Sequence, residues 1–203
     1  MSLIIRREEE KDHRAVEELT REAFWNVYHP GALLRTWLCI NYGTKKHVIK
    51  DLNLVAEADG QLVGHILYVA SEITADGIRL PSLTFGPLSI SPEHRGRGCG
   101  QCLLEHSLAL AKNSGAVLVA ITGFPDYYSR FGFVKGKEVG IRYQAYPEAD
   151  HFLVKLFRPE ALDDRDWWFT DPPSYEVNEA ELQVFDQIFS AKEKLVLLGQ
   201  LGE

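Results

Sequence analysis

The segment that most restricts the fold of this chain is a glycine-rich loop between an apolar strand and a helix. The strand pattern of Leu80–Ser91 continues into Pro92–Gly100, where glycine occupies positions 96, 98 and 100. The helix that follows ends near Ser114-Gly115, and the apolar run Ala116–Ile121 predicts a buried strand. Because a helix connects the two strands, we expect them to lie parallel in a right-handed crossover. The apolar face of the helix consists of Leu103, Leu104, Leu108 and Ala111.

An antiparallel meander is predicted ahead of this unit, because the apolar residues there alternate with polar ones. Asp59-Gly60 separates strand Leu52–Ala58 from strand Gln61–Ser71, and Asp76-Gly77 leads into Leu80–Ser91. Asp-Gly between alternating apolar runs is a strong signal for a hairpin. The predicted fold class is therefore α/β (α+β). Its mixed central sheet has an antiparallel meander followed by a parallel strand–helix–strand unit, and helices flank it.

The amino-terminal part of the chain predicts one strand and at least one helix. Residues 2–7 are apolar and β-branched, which favours a first strand. Asp12 is expected to cap a helix whose apolar face is formed by Val16, Leu19, Ala23 and Phe24. Residues 24–50 mix aromatic, basic and turn residues and are expected to form a helix–loop–helix stretch.

The carboxyl-terminal part predicts further strands and an extension. A helical turn at Pro125–Arg130 precedes expected strands at 140–146 and 151–157. We expect one domain over residues 1–160 and an acidic extension over 161–203 that packs on the same domain. Within the extension a terminal helix is expected to carry Leu182, Phe185 and Ile188.

Charge is distributed unevenly, and this limits the partners of the protein. The net charge is −7, and residues 160–203 contain eleven acids and three bases. A chain without a basic stripe binds nucleic acid poorly, because phosphate neutralisation supplies most of such affinity. No apolar run reaches the roughly 18 residues of a membrane helix, and the start has no signal-peptide core. Three cysteines do not make a disulfide framework. We therefore expect a cytoplasmic protein with no nucleic-acid and no membrane partner.

The glycine loop predicts an anion site at the start of a helix. Backbone amides at a helix N-terminus favour an anion, and glycine lets the backbone approach a phosphate closely. Arg95 and Arg97 add formal charge at this place. The glycine spacing does not fit the dinucleotide fingerprint, and the Gly-Lys-Ser/Thr of a Walker loop is absent. A flexible turn with a helix cap is the alternative to an anion site.

Two cysteines in the same segment suggest a second chemistry. Cys99 and Cys102 form a C-x-x-C pair at a helix start, where thiol pKa values are lowered. Thiol redox catalysis is therefore a further hypothesis. A zinc site would take His94 and His106 as additional ligands, all within one short loop and helix and without a second cysteine pair. We expect no metal site.

Two motifs in order carry a resemblance to a known family. Leu88–Leu103 resembles the acetyl-coenzyme A motif of the GNAT (GCN5-related) N-acetyltransferases, an apolar strand followed by Arg/Gln-x-x-Gly-x-Gly/Ala at a helix start. Arg95, Gly98 and Gly100 occupy those positions. Tyr127–Phe133 is similar to the second signature of the family, a tyrosine four residues before Gly-Phe. The resemblance covers about residues 2–157, and the run Pro125–Phe133 is most similar to the bacterial YhbS-like group.

The resemblance implies an enzyme, an acyltransferase that uses acetyl-coenzyme A (acetyl-CoA) as cosubstrate without a metal. It would transfer the acetyl group directly to an amine of a small molecule or a protein. The diphosphate of the coenzyme is then expected on the loop, at Arg95, Gly96, Arg97, Gly98, Cys99, Gly100 and Gln101. The pantetheine arm is expected to pair as an added strand with the exposed backbone of Leu88, Ser89 and Ile90.

The resemblance also implies catalytic roles. An amide near residue 90 would stabilise the oxyanion, and Tyr128 would protonate the leaving thiolate. The alternative for Tyr128 is a packed ring with a satisfied hydroxyl, and Tyr127 is expected to be a core residue. Pro87 is expected to mark the departure of its strand from regular pairing, which opens a slot for the thioester.

The chain departs from the family pattern at two places. The strand 82–91 has no carboxylate, so the base is expected to be water or one of three candidates, Glu22, Glu57 and Glu72. The loop Gly123–Asp126 lacks the asparagine that many relatives use to bind pantetheine. His65 is expected to pack in the core or lie on the surface.

Several alternatives stay open on the sequence alone. A non-catalytic module that binds acetyl-CoA as a regulator is the main alternative function, followed by a thiol redox protein. A homodimer is a further expectation, and Trp167–Phe169 would either anchor the extension or lie in the dimer interface. The acidic extension is either a solubilising surface or an attractant for a cationic amine.

Overall fold

The computed structural model describes residues 2–27, 30–31, 47–175, 184–198 and 200. Its helices are α1 (His13–Phe24), α2 (Cys99–Ala111) and α3 (Pro125–Tyr128), and short 3-10 turns connect several elements. Its strands are β1 (Leu3–Arg7), β2 (Leu54–Ala58), β3 (Gln61–Ala75), β4 (Ile78–Ile90), β5 (Leu118–Thr122), β6 (Val134–Lys135), β7 (Ile141–Tyr143), β8 (Phe152–Leu156) and β9 (Trp167–Phe169).

The chain divides into two compact units, each assembled from several segments. The first unit consists of Met1–Leu67, Pro87–Leu104 and Pro173–Glu203. The second unit consists of Tyr68–Gly86 and Glu105–Pro172. Strands β3 and β4 and helix α2 each contribute residues to both units.

The first unit contains an antiparallel sheet with a helix on each face. Strands β1, β2 and β3 pair antiparallel, with a bulge between Ala56 and Glu57. On one face the buried hydroxyls of Thr20 in α1 and Ser89 in β4 lie 2.9 Å apart. On the other face a Cβ added at Gly64 would lie 2.9 Å from Ile90 and 3.2 Å from Leu103 of α2. The end of β4 is therefore packed between α1 and α2.

The second unit contains a mixed sheet. Strand β5 pairs parallel with β4 and antiparallel with β8, and β8 pairs antiparallel with β6. Strand β9 pairs antiparallel with β3 and parallel with β7. The predicted fold class is confirmed, including the parallel strand–helix–strand unit. The core of this unit is formed by Ile73, Ala75, Val117, Leu118, Ala120, Ile141, Tyr143, Phe152, Val154, Trp167 and Phe169.

One local expectation is wrong, and two others fall partly outside the described residues. Asp12 precedes α1 but does not cap it, because its carboxylate accepts hydrogen bonds from the Arg6 guanidinium and the Glu9 amide. The Arg6 hydrogen bond lowers the pKa of Asp12. Of the expected terminal helix, Leu182 lies outside the described residues, Phe185 lies in a helical stretch at 184–186, and Ile188 lies just beyond that stretch. Most of the expected helix–loop–helix stretch, namely 28–29 and 32–46, lies outside the described residues.

The extension beyond residue 160 contributes to both units, and its boundary remains a prediction. Trp167–Phe169 form strand β9 in the second unit, so this part is anchored by strand pairing. In the first unit the buried Arg21 of α1 donates to the Ser190 carbonyl at 3.0 Å. It also donates to the Asp186 carboxylate at 3.2 Å. The Arg21 guanidinium lies 4.3 Å from the Trp25 ring and 4.9 Å from the Phe189 ring. The segment 184–198 thus packs along α1.

A buried polar cluster connects the first strands of the first unit. The His65 side chain on β3 is buried, with Nε2 at 3.2 Å from Glu8 Oε2 and 2.8 Å from Asn53 Oδ1. Burial raises the pKa of the Glu8 carboxyl, but the hydrogen bond and charge of His65, together with the charge of His13, outweigh it. The pKa of Glu8 therefore lies below its ordinary value. His65 is a core residue, one of the two positions expected for it.

Replacing Glu8 by glutamine should lower the free energy of unfolding by about 1–3 kcal/mol at neutral pH. This difference should shrink on acidification. Because the folded pKa lies below the unfolded one, the contribution is complete above the ordinary glutamate pKa of about 4.3. The stabilisation by the Glu8 carboxylate is lost as the pH falls through its lower pKa in the folded state. Urea unfolding of the wild type and of Glu8→Gln at about pH 7 and about pH 3 measures this difference in stability. Glu72→Gln, in an exposed pair with Arg79, is the control and should change little. A difference that persists unchanged at the lower pH would contradict the prediction.

Candidate active site

The glycine loop contains two glycines in the left-handed region. Gly96 and Gly98 adopt φ values of 71° and 83°, which L side chains rarely adopt. No atom of the described residues lies within 4 Å of the position that a Cβ would take at either residue. The Cys102 amide donates to the Gly98 carbonyl at 3.0 Å and so starts α2. The amides of Cys99 and Gly100 then have no acceptor inside the helix, and they lie at its positive end.

The two arginines of the loop are placed differently. The Arg95 guanidinium donates a hydrogen bond to the Ala23 carbonyl near the end of α1. Arg97, between the two left-handed glycines, has an exposed side chain. Arg95 therefore fixes the loop to α1, a contact that the sequence did not predict, while Arg97 presents its charge to solvent. This arrangement suits an anionic group at the start of α2.

The strand that leads into the loop exposes alternate backbone groups. The Ser91 amide, just past β4, donates to the Val63 carbonyl of β3 at 2.9 Å. Because successive residues of a strand direct their amides to opposite edges, the amides of Ile90 and Leu88 face away from β3. Ser89 instead directs its buried hydroxyl to Thr20. Leu88 and Ile90 are thus the residues whose backbone faces the edge opposite β3.

Parallel pairing of β4 ends early. The register joins Leu83 to Val119 and Thr84 to Ala120, although β5 continues to Thr122. Gly86 then adopts a φ of 154°, and Pro87 follows. The parallel register of β4 thus ends at Thr84, before Pro87, and the expected slot for the thioester stays a prediction.

Tyr128 is the last residue of α3 in the second unit, and its ring is half-buried among aromatic side chains. The ring centroid lies 6.1 Å from that of Phe85 and 5.6 Å from that of Phe133. The Tyr127 ring meets it edge-on at 4.9 Å. Tyr127 is half-buried too, not a fully buried core residue as expected, and burial raises its pKa despite the nearby Arg130 charge.

The three carboxylates named as candidate bases are all paired with cations. Glu22 lies 2.6 Å from Lys192, Glu57 lies 3.3 Å from Arg6, and Glu72 lies 3.0 Å from Arg79. Each of the three carboxylates is therefore engaged in an ion pair, and the identity of the base stays a prediction.

The cysteine pair is divided between interior and surface. Cys99 is buried, Cys102 is exposed, and both are free thiols. Within the described ranges, no group of three or more His, Cys, Asp and Glu side chains is arranged to hold a metal ion. Among the same residues, no helix is both long enough and apolar enough to cross a bilayer.

Comparison with known proteins gives a family match and structural relatives. A family model described as "Acetyltransferase (GNAT) domain" matches residues 4–136. The chain is similar to the N-acetyltransferase YjhQ of Escherichia coli, with 30% identity over 82 residues. That alignment covers 40% of this chain and 45% of the length of the relative.

Two solved structures share the fold. One is the GNAT family N-acetyltransferase YhbS of Escherichia coli in complex with CoA, with a TM-score of 0.73 and 23% identity. The alignment covers 85% of this chain and 91% of YhbS. The other is a GNAT family acetyltransferase of Brucella melitensis in complex with acetyl-CoA, with a TM-score of 0.67 and 24% identity. It covers 86% of this chain and 99% of the other.

Proposed function

Because the chain belongs to the GNAT acetyltransferase family, we propose that it transfers the acetyl group of acetyl-CoA directly to an amine of a small molecule or a protein. The observation that carries this proposal is the loop at the start of α2. It combines two left-handed glycines, space around both that no described residue fills, and first-turn amides without an acceptor inside the helix, beside an exposed arginine. A diphosphate has the charge and the oxygen acceptors that such a loop binds.

The loop and the end of β4 would jointly bind the coenzyme. The amides of residues 96–101 would donate to the diphosphate, with the Arg97 side chain adding charge. The backbone of Leu88 and Ile90 would pair with the amide groups of pantetheine as an added strand does. Ser89 would support this strand through its hydrogen bond to Thr20. Arg95 would hold the loop in place through the Ala23 carbonyl.

The chemistry needs few groups from the protein. When bound, the coenzyme supplies an acetyl thioester, whose carbonyl carbon accepts a neutral amine. As the N–C bond forms and the C–S bond breaks, the Ile90 amide would stabilise the charge on the carbonyl oxygen. Tyr128 would give its proton to the leaving thiolate. The amine would lose its proton to water.

The acceptor and the assembly are further parts of the proposal. The acidic residues after 160 would attract a cationic amine, and the protein would act in the cytoplasm, as a homodimer, without nucleic-acid or membrane partners. Apart from the homodimer, these points rest on charge and composition. They are independent of the diphosphate site.

Acetyl-CoA should raise the melting temperature and show saturable binding in titration calorimetry. At a hundredfold excess over Kd the stabilisation is about 2.7 kcal/mol. Pantetheine, which lacks the diphosphate, is the matched control and should bind much more weakly. Thiol release from acetyl-CoA with a panel of amines then measures turnover. No binding of acetyl-CoA would contradict the proposal.

The same assay separates the alternatives. Binding without turnover on any amine would indicate a regulatory module. Turnover that is abolished by replacing both Cys99 and Cys102 with serine would indicate thiol chemistry. Full activity of that double variant would exclude it.

A further inference from the structure

The backbone conformation at position 123 does not require glycine. It follows β5, and its amide donates to the His151 carbonyl at 2.9 Å. Its φ lies outside the left-handed region, unlike that of the turn glycines in this chain. Any L residue tolerates such a backbone conformation. The reason for the missing side chain must therefore lie in the groups that pack against Gly123.

The surroundings of Gly123 are the ring of Tyr128. A Cβ added at Gly123 would lie 2.4 Å from Cε2, 2.8 Å from Cδ2 and 3.5 Å from Cζ of this ring. Cζ carries the phenol hydroxyl. Carbon atoms in ordinary contact are about 3.5–4.0 Å apart. The ring can occupy its place only because residue 123 has no side chain.

Three aromatic rings pack against the half-buried Tyr128 ring. Phe85, Phe133 and Tyr127 surround it with centroid distances of 6.1, 5.6 and 4.9 Å. The Tyr128 amide also donates to the Phe124 carbonyl at 3.2 Å, which fixes the backbone. Closely packed interiors transmit strain instead of absorbing it. A methyl group at position 123 would therefore move the ring and its hydroxyl together.

We propose that Gly123 is a positioning residue for Tyr128: it sets where the phenol hydroxyl lies by leaving room for the ring. This inference rests on the proposed function, in which Tyr128 gives its proton to the thiolate. Gly123 itself touches no reacting atom. It acts through Tyr128 alone.

Gly123→Ala should lower kcat about ten- to a hundredfold, because the ring must move by roughly 1 Å and misplacement of that size has this effect. The KM for acetyl-CoA should change less than about twofold, since the diphosphate loop is untouched. In the Tyr128→Phe background the same change should lower kcat less than about twofold, because no hydroxyl is left to misplace. The loss of thermal stability should be equal in both backgrounds, because the ring persists.

Gly136→Ala is the matched control. This glycine also lies outside the left-handed region, and a Cβ there would be 2.5 Å from the Ile141 carbonyl oxygen and from Phe152 Cδ1. It belongs to the second unit, like Gly123, and a Cβ there would be at least as crowded as one at Gly123. Gly136→Ala should lower the melting temperature, and any effect on kcat should be equal with and without the Tyr128 hydroxyl.

A second comparison covers the case in which Gly123→Ala folds poorly. Tyr128→Ala removes the ring, so adding Gly123→Ala to it should cause no further loss of melting temperature. A further loss as large as that in the wild-type background would overturn the inference. The inference would also be overturned if Gly123→Ala left kcat unchanged, or if it lowered kcat equally in the wild-type and Tyr128→Phe backgrounds. Absence of any turnover by the wild-type protein would instead refute the proposed function, and the stability comparison would still report on the contact.

Discussion

Tyr128→Phe is expected to lower kcat at least about a hundredfold, which is the usual contribution of a positioned general acid. The Kd for acetyl-CoA should stay within about twofold, because the change removes one oxygen from a ring and leaves the loop at α2 intact. The ring contacts with Phe85 and Phe133 survive the substitution, so the fold should persist. Steady-state thiol release gives kcat, and titration calorimetry gives the affinity.

Tyr127→Phe is the matched control for this experiment. Tyr127 is adjacent in sequence, has the same side chain and is also half-buried, with its ring against Phe131 and the Arg130 guanidinium. Removal of its hydroxyl should change kcat less than about threefold, because it has no proposed role in proton transfer. Equal kcat values for wild type and Tyr128→Phe would refute Tyr128 as the acid.

Gly98→Val should weaken acetyl-CoA binding at least about thirtyfold, equivalent to the loss of about 2 kcal/mol or one charge-assisted hydrogen bond. Gly98 has a φ of 83° with open space where a side chain would be, in the loop proposed for the diphosphate. A valine there would occupy the space for the ligand and strain the turn that directs the amides. Titration calorimetry with acetyl-CoA measures the affinity of both proteins.

Gly77→Val separates strain from binding. Gly77 has a φ of 82° and likewise nothing within 4 Å of its Cβ position, but it lies in the turn between β3 and β4. Both substitutions should cost about 1–2 kcal/mol of stability, the penalty for an L residue in the left-handed region. Only Gly98→Val should alter the Kd. Equal affinities for the two variants would remove the loop from the proposed site.

Local sequence signals predicted much of the fold because they report on the chain within a few residues. The Asp-Gly turns predicted the meander, and the helical crossover predicted that the two strands lie parallel, although not that Leu83 lies opposite Val119. The carboxylate of Asp12 was misassigned because Arg6 and the Glu9 amide bind it instead of the α1 amides. The expected strand 61–71 extends to Ala75, since β9 pairs with Ile73 and Thr74. Such pairing between distant segments leaves no local signal.

The candidate site also combines features that have a local sequence signal with features that have none. The glycine alternation at 96–100 and the placement of Tyr128 in a helical turn could be predicted, because each depends on neighbours in sequence. The hydrogen bond from Arg95 to Ala23 joins residues 72 positions apart, and the sequence of neither segment predicts it. Gly123 next to Phe124-Pro125 looks like an ordinary turn glycine. Only the Tyr128 ring against it reveals another reason for the residue.

The packing of residues 184–198 along α1 has a consequence for synthesis on the ribosome. Arg21 emerges early, yet its acceptors Asp186 and Ser190 are translated more than 160 codons later. All segments of the second unit end by Pro172, so they are translated before these two acceptors. Because chains fold from the amino-terminal side as they emerge, α1 forms before the segment 184–198 that packs along it has been translated. The first unit, which contains the glycine loop, therefore completes its packing after the second unit.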